Sequence, residues 1–180
     1  MRVSRRMFVG AAAVAPVLAR VERLPPRCVV LDLGCVLPES LTGFKRQVGD
    51  LPYGDGDGDG DVVIVPAVRT LTEVGQDMID GWLEHGATVL LEYVGGARVE
   101  QRDYFPYVEY VWPVRVKIRE FEPVALTPGP EDEIIATFSG QPVGLRRRTG
   151  DGVLITLGSP LGPIFLAGDP DARRWLNELK

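Results

Sequence analysis

The sequence predicts an α/β fold: a single domain with a mainly parallel central sheet, flanking helices and an added antiparallel hairpin in its second half. Three observations predict it. Cys28 to Leu33 and Asp61 to Pro66 are short, β-branched apolar runs of the kind buried on both faces of a parallel sheet. Between the second run and a third, Ala87 to Leu91, lies one amphipathic helix, which makes a βαβ unit of about 30 residues and requires its two strands to run parallel. The later segments instead alternate with period two around short turns, as antiparallel strands do.

Taken in order, Gly34 and Pro38 end the first strand, and Glu39 to Val48 can form a short helix. Residues 49–61 are a Gly/Asp-rich loop, and Pro66 closes the second strand. The helix over 71–85 has Thr72 as N-cap, Glu73 in its first turn, and Val74, Met78, Ile79, Trp82 and Leu83 on one face. Gly86 stops it. Tyr104, Phe105, Tyr107, Tyr110 and Trp112 crowd one stretch; Arg115, Lys117 and Arg119 then alternate with Val116 and Ile118 as a strand with one wet face. Strands follow at 133–138 and 143–148, around Ser139-Gly140-Gln141, and at 153–157 after Thr149-Gly-Asp-Gly152. Asp169 and Pro170 open a last helix.

The first 19 residues read as an address. Ser4-Arg5-Arg6-Met7-Phe8 precedes an alanine-rich apolar run to Ala19, the layout of a twin-arginine export signal, although Gly10 stands where such signals often carry Lys. The run is 12 residues, short of the roughly 20 that span a bilayer, so membrane contact is expected during export only, with a periplasmic or extracellular destination. The organisation is then 1–19 signal, 20–27 linker and 28–180 domain. Without the signal's three arginines the chain has 17 basic and 25 acidic residues, a net charge of −8. That excludes a nucleic-acid binder, which needs a basic surface. Cys28 and Cys35 lie seven residues apart in one extended run, roughly 23 Å, beyond the about 7 Å that a disulfide tolerates.

Asp61-Val-Val-Ile-Val-Pro66, the helix and strand of 71–91, and Gly150-Asp-Gly-Val-Leu-Ile-Thr-Leu-Gly158 carry a resemblance. The chain resembles the class I glutamine amidotransferase-like superfamily, a flavodoxin-like fold, and within it the accessory domains of β-galactosidases and trehalose-utilisation-type proteins. The resemblance implies a glutaminase Cys after the third strand and a His after the late strand. Glu92-Tyr93-Val94-Gly95-Gly96 and Ser159-Pro160-Leu161-Gly162 stand there instead, so glutamine hydrolysis is not expected.

Ligands of open α/β sheets sit at the carboxyl ends of strands. That rule nominates Asp32, Glu39, Glu92, Tyr93 and Ser159 as possible ligand-binding residues, with Pro66 among them. Glu92 with Asp32 could form the carboxylate pair of glycoside hydrolysis. Asp55, Asp57, Asp59 and Asp61 match the first half of a calcium loop, but Pro66 occupies the place of its closing glutamate. His85 is the only histidine, placed in a helix's last turn, so no histidine metal centre and no resident cofactor is expected. Arg146, Arg147 and Arg148 read as a salt-bridged surface strand, and the aromatics as core or as a sugar- or partner-stacking cluster. The functional expectation is an exported, non-catalytic domain that binds carbohydrate, an envelope component or its own copies. The alternatives are a glycoside hydrolase using Glu92 and Asp32, and a calcium-stabilised envelope protein.

Overall fold

A computed structural model describes residues 27–49, 61–95, 106–121 and 123–179. The export signal with Arg5 and Arg6, the aspartates Asp55, Asp57 and Asp59, and the aromatics Tyr104 and Phe105 lie outside these residues.

In chain order the elements are β1 (Cys28–Val30), α1 (Pro38–Val48), β2 (Val62–Val68), α2 (Glu73–Glu84), β3 (Thr88–Tyr93), β4 (Tyr107–Tyr110), β5 (Val116–Arg119), β6 (Glu133–Phe138), β7 (Gln141–Thr149), β8 (Gly152–Leu157), α3 (Gly162–Leu166) and α4 (Pro170–Leu179). The strands form one sheet in the order β1-β2-β3-β8-β7-β6-β4-β5. β1, β2, β3 and β8 pair in parallel. β8–β7, β7–β6, β6–β4 and β4–β5 pair antiparallel.

The expected mainly parallel, flavodoxin-like or amidotransferase-like sheet is therefore corrected to a mixed one. Antiparallel pairing is half of the sheet, not an added hairpin. The physical cause is β8, which offers one edge to β3 in parallel and the other to β7 in antiparallel. Tight turns at Ser139-Gly140 and Gly150-Asp151 make β6, β7 and β8 a meander, and β4 extends it through Glu109 and Tyr110.

The local reading of the βαβ unit matches the structure: β2 and β3 are parallel. Thr72 caps α2 by accepting from the Gly75 N–H at 3.1 Å, and Gly86 takes φ +84°, where a side chain would be strained. Asp169 caps α4 at the N–H groups of Asp171 and Ala172. Two details differ. β1 is only three residues long, because the Asp32 carboxylate accepts from the N–H groups of Gly34 and Cys35 and turns the chain. β2 continues past Pro66 through a bulge in which Ala67 is left-handed, at φ 39°.

Alternation along the parallel strands splits the core in two. Val63, Val65 and Val89 pack on Ile79 and Leu83 of α2. Ile64, Leu90, Ile155 and Leu157 point to the other face, under Phe44 of α1, Phe165 of α3 and Trp175 of α4. The Trp175 indole donates to the Trp112 carbonyl at 2.8 Å and lies 5.1 Å from the Tyr110 ring, fastening α4 beneath the antiparallel half. α1 and α3 touch backbone to backbone: a Cβ on Gly43 would stand 1.8 Å from the Gly162 carbonyl oxygen. Gly43→Ala is accordingly expected to lower the unfolding free energy by about 1–3 kcal/mol through overpacking, and the denaturant midpoint with it. An unchanged midpoint in a urea titration would contradict that contact.

Candidate functional site

Because β1, β2, β3 and β8 are parallel, their carboxyl ends lie along one side of the sheet. There the structure gathers Asp32 after β1, Ala67 on β2, Glu92 and Tyr93 on β3, Ser159 after β8, and Glu39 in the first turn of α1. Proximity in the fold does not give these residues one role.

Glu92 is completely buried. One carboxylate oxygen accepts from the Ser40 hydroxyl and, at 3.0 Å, from the Ala67 N–H. The other accepts from the N–H groups of Leu161 and, at 3.3 Å, Gly162. Burial pushes its pKa from 4.5 to about 7, against the pull of the Ser40 hydroxyl and the three N–H groups. Ala67, the residue that donates this N–H, is held at a strained φ of 39°.

Asp32 is exposed and spends Oδ1 on its own turn; it is not among the hydrogen-bond partners of Glu92. Glu39 is exposed, and Tyr93 is partly so. Ser159 is buried and donates to the Phe121 carbonyl at 3.2 Å. Cys28 and Cys35 are free thiols. Cys35 donates to the Leu37 carbonyl at 3.1 Å, and burial raises its pKa, with the charges of Asp32 and Glu92 acting in the same direction, so it stays a thiol.

The partner that the sequence did not disclose is Glu120, which follows β5 and is fully buried. Neither carboxylate oxygen has a hydrogen-bond partner among the described residues. Burial pushes its pKa to about 8; the Tyr110 and Ser159 hydroxyls alongside oppose that rise, and the charges of Glu92 and Asp169 add to it. A protonated Glu120 is the form that an apolar core tolerates. The structure thus sets Glu120, not Asp32, in the buried electrostatic neighbourhood of Glu92. In sequence Glu120 ends the run Lys117-Ile-Arg-Glu, and nothing there distinguishes it from a surface charge.

The strand ends are also roofed. Val124 donates to the Gly158 carbonyl at 2.7 Å and Leu126 to that of Pro142 at 2.8 Å. A Cβ on Gly158 would meet the Val124 oxygen at 2.1 Å.

The remaining residues singled out in the sequence take separate places. Asp61 is buried, accepts from the Arg27 N–H at 3.1 Å and pairs with its guanidinium at 3.5 Å. Among the described residues no group of three or more His, Cys, Asp or Glu could hold a metal. His85 Nδ1 contacts the Gly81 carbonyl at 2.7 Å. Arg146 lies over the Trp112 ring at 4.5 Å and near Glu133 at 3.6 Å. Tyr107 is exposed under Arg119, while Tyr110 is core.

No family model matches the chain, and no curated protein does. Solved structures do. The chain resembles an exo-β-1,4-mannosidase from an Opitutaceae bacterium over 87% of its length and 36% of that enzyme, at 16% identity and TM-score 0.59. It resembles a β-galactosidase from Rahnella sp. R3 over 87% of its length and 31% of that chain, at 12% identity and TM-score 0.63. An alpha-L-fucosidase from Paenibacillus thiaminolyticus is similar over 84% of this chain and 32% of its own, at 12% identity and TM-score 0.53. The chain therefore spans about a third of these enzymes' length. These likenesses show a shared fold. They overturn the resemblance to the glutamine amidotransferase superfamily, since the structures matched are, by their names, glycosidases.

A carboxyl with a folded-state pKa above its unfolded one stabilises the fold below the unfolded value and loses that contribution as pH rises through the folded value. The window runs from 4.5 to about 7 for Glu92 and from 4.5 to about 8 for Glu120. The melting temperature is expected to fall from about pH 5 to about pH 8, and Glu120→Gln to flatten the upper part of that slope. A wild-type profile with no downward slope across this range would contradict the burial of both groups.

Proposed function

We propose that the chain serves carbohydrate processing, in company with glycoside hydrolysis. The observation that carries this reading is the fold likeness to a mannosidase, a β-galactosidase and a fucosidase over 84–87% of the chain. The role takes one of two forms. The neighbours' names favour the hydrolytic form, with Glu92 and Asp32 as the working carboxyls. A carboxyl with a pKa of about 7 has the proton affinity of a general acid. The cage around Glu92 favours the other form, a binding or assembly unit. Its four donors occupy both oxygens and leave none for a glycosidic bond.

Assays of the purified chain on aryl β-galactosides, β-mannosides and α-fucosides, run beside a glycan-binding panel, separate the two. Turnover that disappears in Asp32→Asn and Glu92→Gln, with folding checked by circular dichroism, supports hydrolysis. Binding without turnover supports the binding unit. The absence of both turnover and glycan binding would sink the proposal.

The carbohydrate is met outside the cytoplasm in this reading, on the strength of Arg5 and Arg6 ahead of the apolar run. A reporter fused after residue 27 should be exported, and replacing both arginines by lysine should hold it in the cytoplasm. Export that is indifferent to the replacement would remove the twin-arginine route.

A further inference from the structure

The two halves of the sheet are covered differently on the side that α2 occupies. α2 packs there over β2, β3 and β8. In the antiparallel half, Val108, Tyr110, Val116 and Ile118 belong to the core on the opposite side, beneath α4. Strand alternation therefore turns Tyr107 and Glu109 of β4, and Lys117 and Arg119 of β5, to the side of α2. Val111 and Arg115 continue these two rows just outside the strands. Ile134 of β6 joins them. It pairs with Leu145, Leu145 pairs with Thr156, and Thr156 sits between Ile155 and Leu157 of the opposite core. Tyr107, Val111 and Ile134 are three of the six large hydrophobic side chains that the described residues leave exposed. Arg115, Lys117 and Arg119 are exposed beside them, against one acid, Glu109, which Lys117 holds at 2.6 Å. In a chain of net charge −5, an exposed apolar face with a cationic margin marks an interaction surface.

α2 carries the complement. Gly75, Ile79 and Leu83 are its buried side. Glu73, Asp77, Asp80 and Glu84 recur at spacings of four, three and four residues, all exposed, and form one stripe on the opposite side. Val74, 68% exposed, stands beside the stripe. The helix contains no Lys or Arg, so acids one turn apart repel each other with no cation of α2 between them.

We infer that the chain pairs with a second copy of itself, the acidic stripe of each α2 lying on the cationic and apolar face that β4, β5 and β6 of the other copy present. Both surfaces are on one side of the sheet, over opposite halves. A two-fold axis between two facing sheets therefore makes both contacts at once, and the interface closes as a dimer. Each α2 then lies between its own parallel half and the antiparallel half of the other copy. The uncovered half thereby gains the helical layer that a sheet needs over an apolar face. The charges set the orientation, and Val74 against Tyr107, Val111 and Ile134 supplies apolar contact. The inference does not depend on the carbohydrate reading.

Sedimentation velocity on the full chain, over a concentration series, tests it. A dimer is expected. Arg115→Glu with Arg119→Glu, and separately Asp77→Lys with Asp80→Lys, should each weaken dimerisation at least about tenfold. All four side chains are exposed, so the circular dichroism of both variants should match wild type. An equimolar mixture of the two variants should dimerise again. In that mixture one helix–face contact keeps its native charges and the other has them reversed on both members. A wild type that stays monomeric, or that grows beyond a dimer as concentration rises, would overturn the inference. So would a dimer indifferent to either pair of substitutions, or a mixture of variants that stays monomeric. A monomer that binds polygalacturonate, and loses it in the arginine variant, would overturn it in favour of an anionic polysaccharide on the same face.

Discussion

The structure depends on how one buried carboxyl is held. Glu92 sits on β3, yet its oxygens accept from Ser40 of α1, Ala67 of β2, Gly162 of α3 and Leu161 just before it. A carboxyl taken out of water is costly unless its lone pairs are met. Here the donors come from elements far apart in sequence, so satisfying Glu92 fixes how those elements meet. The tie brings α1 and α3 into backbone contact at Gly43 and Gly162, where no side chain fits. It also holds Ala67 in a conformation that a non-glycine residue rarely adopts. The same helix pair then frames the cleft that Arg46 and Arg173 line.

The second buried acid works differently. Glu120 has no such cage, and the core accepts it by keeping it protonated. One acid is caged by donors and the other is held protonated by burial, and the charge of each raises the cost of ionising the other. Tyr110 packs beside Glu120 and against Trp175, so the antiparallel half is not an appendage: it completes the core that α4 covers.

Functionally, the strand ends that the topology would nominate for a ligand are occupied by the protein itself. Ser159 binds the Phe121 carbonyl, Val124 binds across Gly158, and Glu92 is consumed by its donors. The open features lie elsewhere, in the helical cleft and on the exposed Tyr107 face of β4. The chain spans about a third of the length of the glycosidases that share its fold, and its own strand-end carboxyl is sealed by protein donors.

Much of the local structure was legible in the residues. The Thr72 cap, the Gly86 stop, the apolar face of α2, the Asp169–Pro170 start of α4 and the parallel β2–α2–β3 unit all follow from capping chemistry and periodicity, which act over a few residues. The strand-end rule also pointed to Glu92 and Ser159, which the fold buries at that side of the sheet. What the chain could not disclose was long-range. Whether β8 has β3 on one side and β7 on the other is decided by pairing across tens of residues, and this turned an expected parallel sheet into a mixed one. A carboxylate reads the same in sequence whether it caps its own turn, as Asp32 does, is caged, as Glu92 is, or is buried neutral, as Glu120 is. Only the tertiary structure assigns those fates, because each depends on which donors and how much water the rest of the fold leaves beside the group.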